Sequence, residues 1–243
     1  MESSSREGRR EGKLPFAVCF EVELAAEGLG RYLTLTGNLR PELDRMPGFE
    51  SIERSRSIRA EGRLLSLSYW ADEAALVDWR SHGLHHGAQV IGRNELFADY
   101  RLRVGEVIRR WSPESIHLAV RPAGHDVPGH RLKPRNERSL LGLLRIEGLN
   151  EADRMTASLS NGSVEFERYE SMVNRERTFF VVSLSDEDAG REVEAHLRRG
   201  AAATQDQSSM RIVFDTCEIQ RDYGRFERTQ APQYFPPIPQ PAL

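Results

Sequence analysis

The chain has 243 residues, of which 39% are hydrophobic and 29% charged, with a formal net charge of −3. That length suits one large domain or two small ones, and the balance is that of an ordinary soluble globular protein. The charge gives no electrostatic reason to expect nucleic acid, and no apolar run approaches a membrane span.

The opening MESSSREGRREGK, residues 1–13, is polar and has no apolar core. It reads as a disordered tail and not as a secretory signal. LPFAVCFEVEL, residues 14–24, alternates Phe16, Val18, Phe20 and Val22 against Ala17, Cys19, Glu21 and Glu23, the period of a strand with one buried face. Leu29, Tyr32, Leu33, Thr36, Leu39, Leu43 and Met46 recur at three and four, which predicts a helix. Pro41 is expected to kink or shorten it. After the turn MPGF, residues 49–58 and 63–70 read as two strands joined through RAEG. Asp72 is a plausible cap for a second helix, DEAALVDWR. Residues 96–111 read as a long last strand. The order strand, helix, strand, strand, helix, strand is the ferredoxin-like unit.

The pattern then returns. SIERSRSI at 51 is similar to EFERYESMV at 165, and GRLLSLSYWADEAA to RTFFVVSLSDEDAG. Ser57 to Asp72 and Ser171 to Asp186 are both fifteen residues. Glu23 to Glu53 is thirty residues but Glu147 to Glu167 only twenty, so the second unit is predicted to carry a stub, EADRMTASL, where the first has its long helix. The organisation read from the sequence is a tail (1–13), a first unit (14–111), a Pro- and Gly-rich linker (112–138), a second, degenerate unit (139–224) and an extended tail (225–243). His117, His125 and His130 in the linker read as solvated. Cys19 and Cys217 form neither a disulfide framework nor a zinc spacing. Two buried thiols in a reducing cytoplasm are the simplest reading.

A four-stranded sheet with helices on one face leaves the other bare. Leaving each large apolar side chain wet forgoes roughly 1.5–3 kcal/mol. Two such sheets packed face to face solve this, and the linker makes the pairing intramolecular. The expected fold is α+β: two ferredoxin-like βαββαβ units forming one pseudo-dimeric α+β barrel within the chain, open to further homodimerisation through a tail carrying Tyr234 and Phe235. An eight-stranded barrel is filled by side chains or holds one small ligand.

The stretches PGFESIERSRS, GRLLSLSYWADEAALVDWR, HHGAQVIGR and LFADYRLRVGEV resemble the antibiotic biosynthesis monooxygenase family of dimeric α+β barrels. FERYES and RDYGRFERTQAP resemble it more faintly. The resemblance implies a cofactor-independent monooxygenase that brings O₂ to a small aromatic or polyketide-like substrate. A second branch of the family binds and degrades haem. Those proteins place an axial histidine ten residues after the Trp of a "DW" pair. Here Asp78-Trp79 matches the pair, but the tenth residue is Gln89, a poor haem ligand beside imidazole. Haem binding through His85 or His86 is the alternative, and a non-catalytic ligand- or partner-binding barrel is the third reading.

Three of the seven histidines fall in WRSHGLHHGAQ, residues 79–89. His82 and His86 are spaced as on one helical face, but Gly83 and Gly87 interrupt the segment and no metal-site motif follows. The plainer reading is a helix end, where a cationic ring suits the dipole. The candidate catalytic set is His85, His86, Glu21 and Gln89, with a base among the first three. Glu21 and Glu23 otherwise read as the solvated face of an edge-like strand. The candidate substrate-binding set is Trp79, Tyr69, Trp70, Arg54 and Arg101. Tyr69 and Trp70 are adjacent on a strand, so only one of them looks into the barrel. An arginine inside would anchor an anionic or phenolate substrate.

Overall fold

The computed structural model describes residues 13–118, 139–148, 152–154, 159, 164–203 and 210–232. Most of the N-terminal tail, His125, His130, Tyr234 and Phe235 lie outside these. The first half runs β1 (Phe16–Leu24), α1 (Gly28–Arg45), β2 (Phe49–Ser57), β3 (Arg63–Trp70), α2 (Glu73–Ser81), α3 (Gly83–Ile91), a π-helical turn (Gly92–Leu96) and β4 (Phe97–Ser112). The second runs β6 (Leu140–Glu147), β7 (Phe166–Ser171), β8 (Arg177–Leu184), α4 (Glu187–Ala202) and β9 (Arg211–Gly224), after a short β5 (Ser115–Leu118).

Local chemistry accounts for the boundaries. Asp72 caps α2 by accepting from the Ala75 amide at 3.0 Å, and Asp186 caps α4 from Ala189 at 2.8 Å. Gly48, in the turn before β2, takes φ +78°, a conformation that side chains resist, and a Cβ there would lie 2.6 Å from that of Ala75. Three details depart from expectation. α1 continues through Pro41 to Arg45. α2 ends as predicted, but His82, whose ψ of 130° breaks the ladder, separates it from a further helix, α3, so His82 and His86 do not share a helix face. The stretch expected to be linker begins with β5, which pairs with the end of β4 from Ser112↔Ser115 to Arg109↔Leu118.

All pairings are antiparallel, and they close. The order β1-β3-β2-β7-β8-β6-β9-β4 returns to β1, giving an eight-stranded barrel with β5 appended to β4. The halves meet along the long β4–β9 ladder and the short β2–β7 contact. β1 is therefore an inner strand, hydrogen-bonded to β3 and β4, and not edge-like. Both its faces are covered. Ala17 and Cys19 point into the barrel with Leu65, Leu67, Val107, Leu143, Tyr169 and Val181. Phe16 and Val18 point outward, under the helices, with Trp70, Leu76 and Trp79. The barrel interior is thus mostly packed side chains.

Outside the barrel the halves differ. Under α4 the space is filled by Trp111, Leu144, Phe180, Val193, Leu197 and Phe214. Of the predicted stub, residues 152–154 and 159 are helical, and Leu159 joins this core. The first half has α1, α2 and α3 over its sheet and keeps a cavity there.

Candidate functional site

The cavity is about 220 Å³. Its floor is the outer face of the first-half sheet (Val18, Ser66, Trp70, Val104) and its roof comes from α1, α2 and α3. The walls are largely apolar, with a few inward polar groups, which is the composition of a small-molecule site. A cavity of roughly 150 Å³ takes a benzene ring. This one therefore suits one ring with a short chain. A four-ring tetrapyrrole is larger than this space.

Of the predicted site residues, His85, Gln89, Trp79, Trp70 and Arg54 line this cavity. The break at His82 brings the first two in. It restarts the chain as α3, which carries His85 and Gln89 back over Trp79 on α2. The His85 ring stacks on the Trp79 indole at 4.4 Å and 13°, and Trp79 stacks in turn on Trp70 at 6.4 Å. His85 Nδ1 lies 2.9 Å from the Trp79 carbonyl oxygen, which only an N–H can satisfy. Nδ1 therefore carries the proton in the neutral ring, and Nε2 keeps its lone pair. Gln89 lies 3.3 Å from the same Nδ1. Burial lowers the His85 pKa from 6.5 to about 4, with the nearby His82 and His86 adding to the fall and the Trp79 bond opposing it. His85 is therefore a neutral, proton-accepting imidazole at pH 7.

The remaining predicted residues sit elsewhere. Glu21 and Tyr69 are on the other face of the sheet, inside the barrel. Glu21 pairs with buried Arg103 and accepts from the Tyr169 hydroxyl at 2.6 Å. It is neither solvated, as the plainer reading had it, nor part of the helix-side cavity. Tyr69 donates to Asp215 at 2.9 Å, and Arg110 grips the same carboxylate at 2.7 and 2.8 Å. Burial and these carboxylates push the Tyr69 and Tyr169 hydroxyls well above the usual phenol range. Trp70 takes the outward face that Tyr69 leaves. Arg101 is exposed and forks onto Asp222 at 2.9 and 2.6 Å. His86 is exposed on α3 and does not line the cavity. Among the described residues no three His, Cys, Asp or Glu side chains converge to hold a metal. Cys19 and Cys217 are free and buried, and desolvation holds the Cys19 thiol up at about 12.

Sequence reasoning missed several lining residues: Tyr32, Arg93, Tyr100, Arg221 and Tyr223. Burial raises the Tyr32 hydroxyl, with Arg54 opposing. Arg93 leaves the π-helical turn almost fully buried and donates to the Tyr100 hydroxyl at 3.0 Å. Such turns recur at functional sites. The one sequence signal was Gly92, where a Cβ would run into the Phe97 ring.

Fold and cavity together define an α+β barrel carrying a ligand-sized site between sheet and helices in its first half. The family model for antibiotic biosynthesis monooxygenase matches residues 15–90. The chain is 31% identical over 251 residues to jasmonate monooxygenase ABM of Pyricularia oryzae (strain 70-15), covering 91% of this chain and 99% of that one. The chain belongs to the antibiotic biosynthesis monooxygenase family. Uncharacterized protein YqjZ of Bacillus subtilis (strain 168) is 38% identical over 64 residues, 26% of this chain and 54% of that protein. Among solved structures, aldoxime dehydratase shares the fold with a TM-score of 0.54 at 12% identity, covering 86% of this chain and 83% of its own. No described helix is long and apolar enough to cross a membrane.

Proposed function

We propose that the protein is an oxygen-dependent monooxygenase whose reaction takes place in the helix-side cavity of the first half. The substrate is a small aromatic or polyketide-like molecule of single-ring size, with a CH₂ made acidic by a neighbouring carbonyl or phenol. The observation that carries this reading is His85, held neutral, stacked on Trp79, with its Nδ1–H bonded to the Trp79 carbonyl so that Nε2 remains the basic atom.

In this reading Nε2 takes a proton from the activated CH₂. The carbanion so formed sits beside the new imidazolium, and their attraction offsets the desolvation that otherwise disfavours the charged ring. Arg54 and the Tyr32 hydroxyl line the same cavity and stabilise negative charge on the conjugated oxygen. The carbanion reduces O₂ and a C–O bond forms. The peroxide takes back the imidazolium proton, and loss of the remaining C–H proton then breaks the O–O bond, so that hydroxide leaves, joins that proton as water, and a ketone remains. The balance is CH₂ + O₂ → C=O + H₂O: carbon loses four electrons, O₂ gains them, and no outside reductant enters. The name of the Pyricularia relative supports a monooxygenase, and makes jasmonate a compound to include among the substrates tried.

The two halves are read as a pseudo-dimer in one chain, the second serving as a shell, because its helix–sheet interface is filled. The test is oxygen uptake with single-ring ketones and phenols and no added reductant. One O₂ consumed per ketone formed, without hydrogen peroxide release, is expected. Uptake that depends strictly on an added flavin, haem or NAD(P)H would sink the cofactor-independent scheme.

A further inference from the structure

Among the described residues, three arginines hold both oxygens of a carboxylate in one manner. Arg101 grips Asp222 through Nε and Nη2 at 2.9 and 2.6 Å. Arg109 grips Glu194 at 2.6 and 2.9 Å, and Arg110 grips Asp215 at 2.7 and 2.8 Å. In each, the Nε–Nη2 edge of the planar guanidinium meets a carboxylate as a fork.

Arg221 breaks the pattern. It stands on β9 opposite Val104 of β4 and lines the cavity. Its Nη1 is fixed by Glu73 Oε1 at 2.5 Å, at the start of α2. Its Nε and Nη2 are buried and have no hydrogen-bond partner among the described residues. The side chain is only 11% exposed. The edge that three other arginines use is here oriented, desolvated and without an acceptor. Buried polar groups are nearly always paired, and an unsatisfied charged donor is among the costlier exceptions. Nearby charge does not relieve it. The Arg80 guanidinium on α2 is close enough that the two cations repel.

We propose that Arg221 anchors a carboxylate on the cavity's ligand, so that the substrate is an amphipathic acid: one ring or a short chain ending in a carboxylate. This rests on the reading of the cavity as the substrate site and names the substrate class. The acid takes the Nε–Nη2 fork. The apolar body lies against Leu76, Trp79 and Val104, which pack together beside the fork. His85, stacked on Trp79, lines the same cavity. Arg221 is thus a specificity residue that sets how far the reacting carbon sits from the base. Because the two nitrogens are covered, the carboxylate reaches them by shifting a covering side chain, with Arg80 and Tyr223 lining the cavity alongside.

The experiment is anaerobic calorimetry with matched probes: 3-phenylpropanoate and cyclopentylacetate, each against its primary amide. In the wild type each acid is expected to bind at least tenfold tighter than its amide. Arg221→Met brings the acids down to the amides and leaves the amides unchanged. Arg221→Lys, which keeps the charge but not the fork, lowers the preference at least threefold, and decides the matter if the Met variant misfolds. Glu73→Gln leaves most of the preference in place. Equal affinity for acid and amide in the wild type, no saturable binding of any probe, or a preference that survives loss of Arg221 would overturn the proposal. No oxidation occurs in this assay, so its outcome is separable from that of the monooxygenase reading. Acid preference without oxygen uptake keeps the anchor and removes the chemistry. Oxygen uptake without acid preference does the reverse.

Discussion

Protonating His85 is expected to destabilise the fold, and the size of the effect follows from its surroundings. An unfolded histidine takes a proton near pH 6.5, while the folded ring does so only near 4. Between those values the unfolded state binds more protons, so stability falls as pH falls. The contribution is complete above pH 6.5, lost progressively on the way to 4, and absent below. The fall from 6.5 to about 4 corresponds to about 3 kcal/mol, an upper limit because the ring is partly accessible to solvent. Carboxylates elsewhere also titrate in this window, so wild type alone does not isolate the term. His85→Phe keeps a ring on Trp79 and removes the titration. Urea unfolding of both proteins at intervals from pH 7.5 to 4.5 gives two profiles. Their separation should be constant above pH 6.5 and then shift by 1–3 kcal/mol against the wild type as pH drops. Profiles that stay parallel to within about 0.5 kcal/mol would mean that His85 is protonated as easily in the fold as outside it. His85 would then not be the neutral base that the proposed reaction needs.

Other expectations concern the two faces of the sheet. Glu21→Gln removes the charge that Arg103 meets inside the barrel, and is expected to cost about 3 kcal/mol in urea unfolding while changing kcat less than threefold. A hundredfold loss of kcat in a folded Glu21→Gln protein would return Glu21 to the catalytic set. Gly92→Ala forces a Cβ against the Phe97 ring, with an expected loss of about 1–3 kcal/mol in thermal or urea unfolding. The Arg93–Tyr100 contact is expected to loosen with it. An unchanged melting temperature would show that the π-helical turn yields freely.

Much of the architecture was legible. The period-two run from Phe16, the spacing from Leu29 to Met46 and the cap at Asp72 pointed to the first elements, and the fifteen-residue spacing that ends at Asp186 falls on the cap of α4. Closure hid the rest. The face of Ala17, Cys19 and Glu21 looked wet because it carries a carboxylate. Its partner Arg103 lies 82 residues away in sequence, and only the pairing of β1 with β4 sets it diagonally beside Glu21. Hydrophobic period registers one buried face and is silent when the second is buried by ion pairs. The same limit split the candidate site. His85, Gln89, Trp79 and Trp70 were found because the histidine cluster and the aromatic pair are local signals. Arg221 comes from the other half of the chain, and only the β4–β9 ladder brings it to the cavity. The break at His82 was also beyond the pattern, although Gly83 marked a weak point in the helix.

In the proposed reaction O₂ is consumed at the helix-side cavity with His85 as the base. The most direct measurement is turnover under ¹⁸O₂ with product mass analysis, run on wild type, His85→Ala and His85→Phe. One labelled oxygen per product in the wild type is predicted, with kcat falling about 10²–10⁴-fold in both variants while KM moves little. Unlabelled product, or variants that turn over at the wild-type rate, would contradict it.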